Sequence, residues 1–105
     1  MKFIFEVHLK PGHTVAEYAD AWMRASAIIQ TAPGARGTRL HRKIGHPDVL
    51  MAIATWESKP QRDARDDFLK PDAAMRAVLD EHTAIVDFKV VGEYEEAELI
   101  VEPPQ

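Results

Sequence analysis

The segment Phe3-Ile4-Phe5-Glu6-Val7-His8-Leu9 alternates strictly: Phe3, Phe5, Val7 and Leu9 take every second position, with Ile4, Glu6 and His8 between them. Successive side chains of a strand point to opposite faces, so a period of two predicts a strand with one fully apolar face and one mixed face. Pro11-Gly12 ends it. Thr14 and Glu17 have the spacing of a capping box, in which a hydroxyl and a carboxylate satisfy two orphan amides at a helix start. Behind them Val15, Tyr18, Ala19, Trp22, Ser26 and Ile29 recur at helical spacing as far as the Pro33-Gly34 stop. Gly37 to Ile44 alternates again, and Gly45-His46-Pro47-Asp48 is a turn. Val49 to Trp56 is apolar on both faces, as expected of a central strand.

Ser58-Lys59-Pro60-Gln61 predicts a second helix start, with a capping box and a proline in the first turn. Ala64 and Phe68 are its expected inward residues, and Pro71 is expected to break it. A further turn or two places Met75, Val78, Leu79 and His82 on one stripe, and Ile85 to Val91 reads as the last core strand. Tyr94 to Val101 predicts an extra C-terminal strand before Pro103-Pro104.

The order is β-α-β-β-α-β plus a tail. Short hairpins and right-handed crossovers make a ferredoxin-like antiparallel sheet of order 4-1-3-2 the leading α+β topology. The first and fourth strands are then neighbours. Setting His8 opposite Asp87 also sets Glu6 opposite Lys89, Ile4 opposite Val91 and Lys2 opposite Glu93. Complementary cross-strand pairs of this kind contribute about 0.2–1 kcal/mol each. The helices can cover only the face of Phe5, Val7 and Phe88, so the other face meets water or a second subunit.

With 105 residues the chain is expected to be one domain, its tail (94–105) at a dimer interface. Lys plus Arg is 13 against 17 Asp plus Glu, a net charge of −4, which gives no general attraction to nucleic acid or anionic lipid. There is no cysteine, which removes disulfides, thiolate metal sites and a cysteine nucleophile. Met1 to Glu6 meets a charge after three apolar residues, unlike a signal-peptide core, and no apolar run approaches the ~20 residues of a membrane span. A cytoplasmic protein without membrane or nucleic-acid partners is the expectation.

Three stretches carry a resemblance. Ala32-Pro33-Gly34 leads into the second strand, Ala54-Thr55-Trp56-Glu57-Ser58 closes the third, and the following helix ends in Phe68-Leu69-Lys70-Pro71. With the element order and the uncovered sheet face, they make the chain resemble a protomer of the dimeric α+β barrels, in the antibiotic-biosynthesis-monooxygenase-like branch. The branch named after EthD, a protein of ether degradation, is also similar from Pro11-Gly12 to Trp22. There a histidine usually follows the helix tryptophan by four residues, where this chain has Ser26.

The resemblance implies a homodimer with apposed sheets, a small hydrophobic ligand, no cofactor, and direct oxygenation of a polycyclic phenol. Heme-degrading relatives use an asparagine, a tryptophan and a histidine where this chain has Glu6 or Val7, Arg65 and Met75, so heme chemistry is not implied. The phenol oxygenases place an asparagine four residues before the strand tryptophan; here that position is Ala52. A non-catalytic dimeric binding protein on the same fold is the alternative.

The candidate catalytic residues are His8 and Asp87: a carboxylate beside an imidazole fixes its tautomer and raises its basicity, as a general base requires. A charge-neutralising pair inside the dimer is the other reading. Tyr18, Trp22, Trp56, Phe68 and His82 are the candidate substrate-pocket residues. Aromatic residues at such spacing are equally at home in plain core, and His82 near a helix end could instead cap the last carbonyls. No two histidines have helical or strand ligand spacing, so no metal site is expected. Arg62-Asp63-Ala64-Arg65-Asp66-Asp67 reads as a solvated helix face.

Overall fold

A computed structural model describes residues 1–105. The elements are β1 (Lys2–Leu9), α1 (Val15–Ile29), β2 (Ala35–Arg42), β3 (Val49–Trp56), α2 (Lys59–Leu69), α3 (Ala73–Ile85) and β4 (Val86–Tyr94). The four strands pair antiparallel in the order β2-β3-β1-β4, the expected ferredoxin-like sheet.

Local chemistry explains the boundaries. Glu17 N–H donates to the Thr14 hydroxyl at 3.1 Å and Thr14 N–H to the Glu17 carboxylate at 3.0 Å, so both halves of the capping box form. Ser58 caps α2 by accepting from Gln61 N–H, with Pro60 in the first turn. The Gln61 side chain bonds the Ser58 hydroxyl at 3.0 Å, not the cap backbone expected of a full box. It also lies against Gly34, whose φ of +87° and lack of a side chain are both needed: a Cβ there would stand 2.6 Å from Gln61 Cδ. Beyond the Pro71 break, Asp72 caps α3 by accepting from Met75 N–H at 2.9 Å. That cap supports a helix of 13 residues, longer than the one or two turns expected, so Ile85 ends a helix and does not begin a strand. β2 stops at Arg42, two residues early, because Lys43 already enters the turn by accepting from His46 N–H at 3.1 Å.

In the β1–β4 ladder His8 faces Asp87 and Glu6 faces Lys89, as expected. The register then slips by one residue, so that Ile4 faces Gly92 and Lys2 faces Tyr94, in place of Val91 and Glu93. An extra residue on one strand, a β-bulge, produces this slip. It sets Glu93 opposite Phe3, where its carboxylate meets Lys59 of α2 at 2.9 Å. The C-terminal strand takes in the start of the tail at Tyr94, and residues 95–105 make no ladder with this sheet.

The helices cover one face of the sheet. Val7, Tyr18, Ala21, Leu50, Ile85 and Val86 form one buried cluster, and Ala25, Leu69, Met75 and Val78 a second. Full burial of a large apolar side chain contributes about 1.5–3 kcal/mol, so these two clusters hold the helices down. Between them the packing is open. No helix is long and apolar enough to cross a membrane.

Candidate active site

The gap between the two clusters is a cavity of ≈ 680 Å³ between the helices and the sheet, open to solvent on one side. The strand alternation that buries Val7 also turns Phe3 and Phe5 toward it, and Val90 and Phe88, the β4 partners of Phe5 and Val7, follow. Tyr18 and Trp22 approach from α1, Trp56 closes the far end of β3, and His82 comes from α3. Trp22 and Trp56 are thus wall residues, and Trp56 is only 2% exposed.

Aromatic rings line the floor in a continuous row. Phe3 and Phe5 have centroids 5.8 Å apart, Phe5 and Phe88 5.8 Å, Phe88 and His82 6.0 Å, and His82 and Tyr18 5.2 Å. At the Phe3 end the Arg62 guanidinium lies over the ring, 4.0 Å from its centroid. Tilted and offset rings at these distances are attractive, and a cation over a ring face adds to this.

Three buried polar atoms have no hydrogen-bond partner: Tyr18 Oη, His82 Nε2 and Arg62 Nε. All three belong to residues of the cavity wall. Buried polar groups are nearly always satisfied, so three orphans around one apolar cavity call for an explanation. Burial pushes the Tyr18 phenol far above its ordinary value of 10.0. It is therefore a neutral O–H donor. His82 Nε2 bonds no carbonyl, so the expected alternative of a helix cap does not hold for that nitrogen.

His8 and Asp87 are elsewhere. Even-numbered residues of β1 point away from the helices, so both members of this pair lie on the opposite face of the sheet and neither lines the cavity. The His8 imidazole also has a different partner. Its Nε2 lies 3.2 Å from Glu6 Oε1, whose carboxylate also meets Lys43 at 3.5 Å. Partial burial pushes the Glu6 carboxyl up, but the Lys43 charge and the His8 bond outweigh it and leave it below the ordinary value of 4.5.

Phe68 also departs from expectation. It is 50% exposed and off the cavity wall, while its neighbour Leu69 is buried. The inward stripe of α2 is Arg62, Arg65 and Leu69, not Ala64 and Phe68, because the two arginines lie along the cavity, Arg62 with its guanidinium over the Phe3 ring. The charge run is thus only partly a solvated face. Arg62, Phe3, Phe5 and Phe88 also line the cavity, where the sequence predicts a solvated face for Arg62 and plain core for the rings. The i, i+3, i+7 spacing of Arg62, Arg65 and Leu69 was the available signal. No group of three or more His, Asp or Glu side chains is placed to hold a metal ion.

The profile of the antibiotic biosynthesis monooxygenase family matches residues 2–78. The chain belongs to this family. Solved structures show the same fold. SnoaB, a cofactor-independent oxygenase from Streptomyces nogalater, superposes with a TM-score of 0.69 at 13% identity, over 93% of this chain and 96% of that one. A NIPSNAP domain protein from Burkholderia xenovorans gives 0.70 at 15% identity, over 96% and 100%. A protein from Pseudomonas aeruginosa gives 0.69 at 15%, over 91% and 93%. Identities this low establish a common fold and nothing finer. No curated protein matches the sequence. The family match ends within α3, so His82 and β4, which complete the cavity of this family member, lie beyond it.

Proposed function

We propose that the protein is a cofactor-independent monooxygenase acting on a hydrophobic aromatic metabolite held in the cavity between helices and sheet. The observation that carries this reading is an apolar, aromatic-floored cavity of ≈ 680 Å³ whose wall holds the neighbouring rings of Tyr18 and His82, each with an orphaned polar atom. Ligand sites have this composition: mostly apolar lining, with a few polar groups that orient the ligand. Family membership supports the reaction type.

The chemistry needs one base. In a diaryl ketone with an acidic methylene, such as anthrone, His82 accepts the methylene proton at Nε2, and the Tyr18 O–H donates to the carbonyl oxygen on which the negative charge gathers. Both atoms are closed to water in the empty cavity, so a change of ring torsion must open them to the ligand. The carbanion passes one electron to dioxygen, and the two radicals join in a C–O bond. The peroxide anion so formed takes the proton back from His82, and the hydroperoxide then loses water, its C–H proton and hydroxide leaving together, to give a second carbonyl. One oxygen atom ends in the quinone and the other in water, so no external reductant is required. The dry wall keeps water from the anion. The proposal thus moves the base from His8, on the wrong side of the sheet, to His82.

Oxygen consumption with anthrone tests this. The wild-type protein is expected to consume oxygen without added cofactor, and His82→Gln to do so at least a hundredfold more slowly while remaining folded. Full activity in His82→Gln contradicts the assignment of the base. A wild-type protein that binds anthraquinone but never accelerates oxygen uptake supports the alternative, a binding protein.

We propose further that two copies pair through the uncovered sheet face. Ile4, Met51 and Ile53 lie together there beside the Glu6–His8–Lys43 cluster. An apolar strip with a polar border suits an interface better than open water.

A further inference from the structure

Arg62 is the least explained of the three orphans. Its side chain is only 16% exposed, yet its guanidinium donates no hydrogen bond, and the nearest carboxylate oxygen, on Asp63, is 3.9 Å from Nη1. Asp63 is itself engaged by Lys59 at 3.0 Å, and Asp66 is taken by Arg65 at 2.8 Å. The Nε–H is buried without an acceptor, and a buried donor left unpaired is costly. The face of Phe3 offsets only part of that cost. What the site lacks is an anionic oxygen.

We infer that Arg62 is a specificity-determining residue that selects aromatic ligands bearing a carboxylate or comparable anionic oxygen at the end remote from the reacting carbon. The inference rests on the cavity reading above and adds a substrate class to it. Arg62 lies at the Phe3 end of the aromatic row, while His82 stacks on Phe88, which pairs with Val7. Phe3 and Val7 are four residues apart on one strand, roughly 13 Å at ~3.4 Å per residue. A row of fused rings with one acidic substituent spans that distance. Its rings would lie along Phe3, Phe5 and Phe88, and its carboxylate would face a planar donor fork suited to bidentate binding. The lining also carries Lys70 and Arg76 against Asp67, with Asp66 paired to Arg65, so its charge does not oppose an acid.

Quenching of Trp22 and Trp56 fluorescence by anthraquinone-2-carboxylate and by its methyl ester at pH 7 tests this. The wild-type protein is expected to bind the acid at least tenfold more tightly than the ester. Arg62→Met should erase that preference while ester affinity changes by less than about twofold; Arg62→Gln serves if the methionine variant fails to fold. Arg36→Met, whose native side chain pairs with Glu57 at 3.1 Å and does not line the cavity, should keep the preference. Equal wild-type affinities, a preference that survives in Arg62→Met, or one lost in Arg36→Met would each overturn the inference while leaving the cavity reading intact. Failure of both compounds to bind would remove the cavity reading, and the inference with it.

Discussion

Glu6 shows how one side chain can gather partners from its own strand and from the turn after β2. It faces His8 and Lys43 on the uncovered side of the sheet, and its carboxyl is held below 4.5 in the folded protein by Lys43 and His8 against the opposing effect of burial. A carboxyl depressed in this way binds its proton more weakly folded than unfolded, so its contribution is present above the unfolded value and disappears as pH falls through the folded one. Urea midpoints should therefore fall more steeply between pH 5 and pH 3 (about the carboxylate range) for the wild type than for Glu6→Gln. Parallel curves for the two proteins would show that the cluster adds no pH-dependent stability. His8 belongs to this structural cluster, which is why a register that was legible at His8 and Asp87 did not translate into a site.

At the scale of elements, α2 separates what pattern reading can see from what it cannot. β1, α1 and β3 were legible because one period dominates each: alternation in Phe3 to Leu9, helical spacing from Val15, a continuous apolar run from Val49 to Trp56. The capping residues Thr14 and Ser58 marked the helix starts for the same local reason. In α2 the inward stripe is written in arginines, whose stems pack while their charges do not, so a hydrophobicity reading chose Ala64 and Phe68 instead. The β4 bulge was hidden too, since it is set by contacts of Gly92 and Glu93 across the sheet and not by any local period. Tyr18, Trp22, Trp56 and His82 could be nominated as wall residues from spacing, but the open space between two clusters appears only in three dimensions. The stripe makes a paired prediction. Leu69→Ala should lower stability by about 2 kcal/mol or more, as for a buried leucine, while Phe68→Ala should stay within about 0.5 kcal/mol. Equal losses in chemical denaturation would mean that α2 is rotated from the position described.

For the molecule as a whole, a sheet covered on one side sorts the residues into two regions with different work. The uncovered side, with Ile4, Met51 and Ile53, is the proposed meeting surface of two copies, and residues 95–105, with Leu99, Ile100 and Val101 exposed, are proposed to reach the partner. Light scattering should give a dimeric mass at micromolar concentration, and deletion of residues 95–105 should raise the dissociation constant at least tenfold. A monomeric mass, or an unchanged constant, would count against the pairing and the tail respectively. The covered side holds the cavity, and the central claim is that the chemistry happens there. A crystal structure of the protein grown with anthraquinone-2-carboxylate tests this most directly. The rings are expected along Phe5 and Phe88, walled by Trp56 and close to His82; rings bound across the sheet against His8 and Asp87, with none in the cavity, would place the chemistry elsewhere.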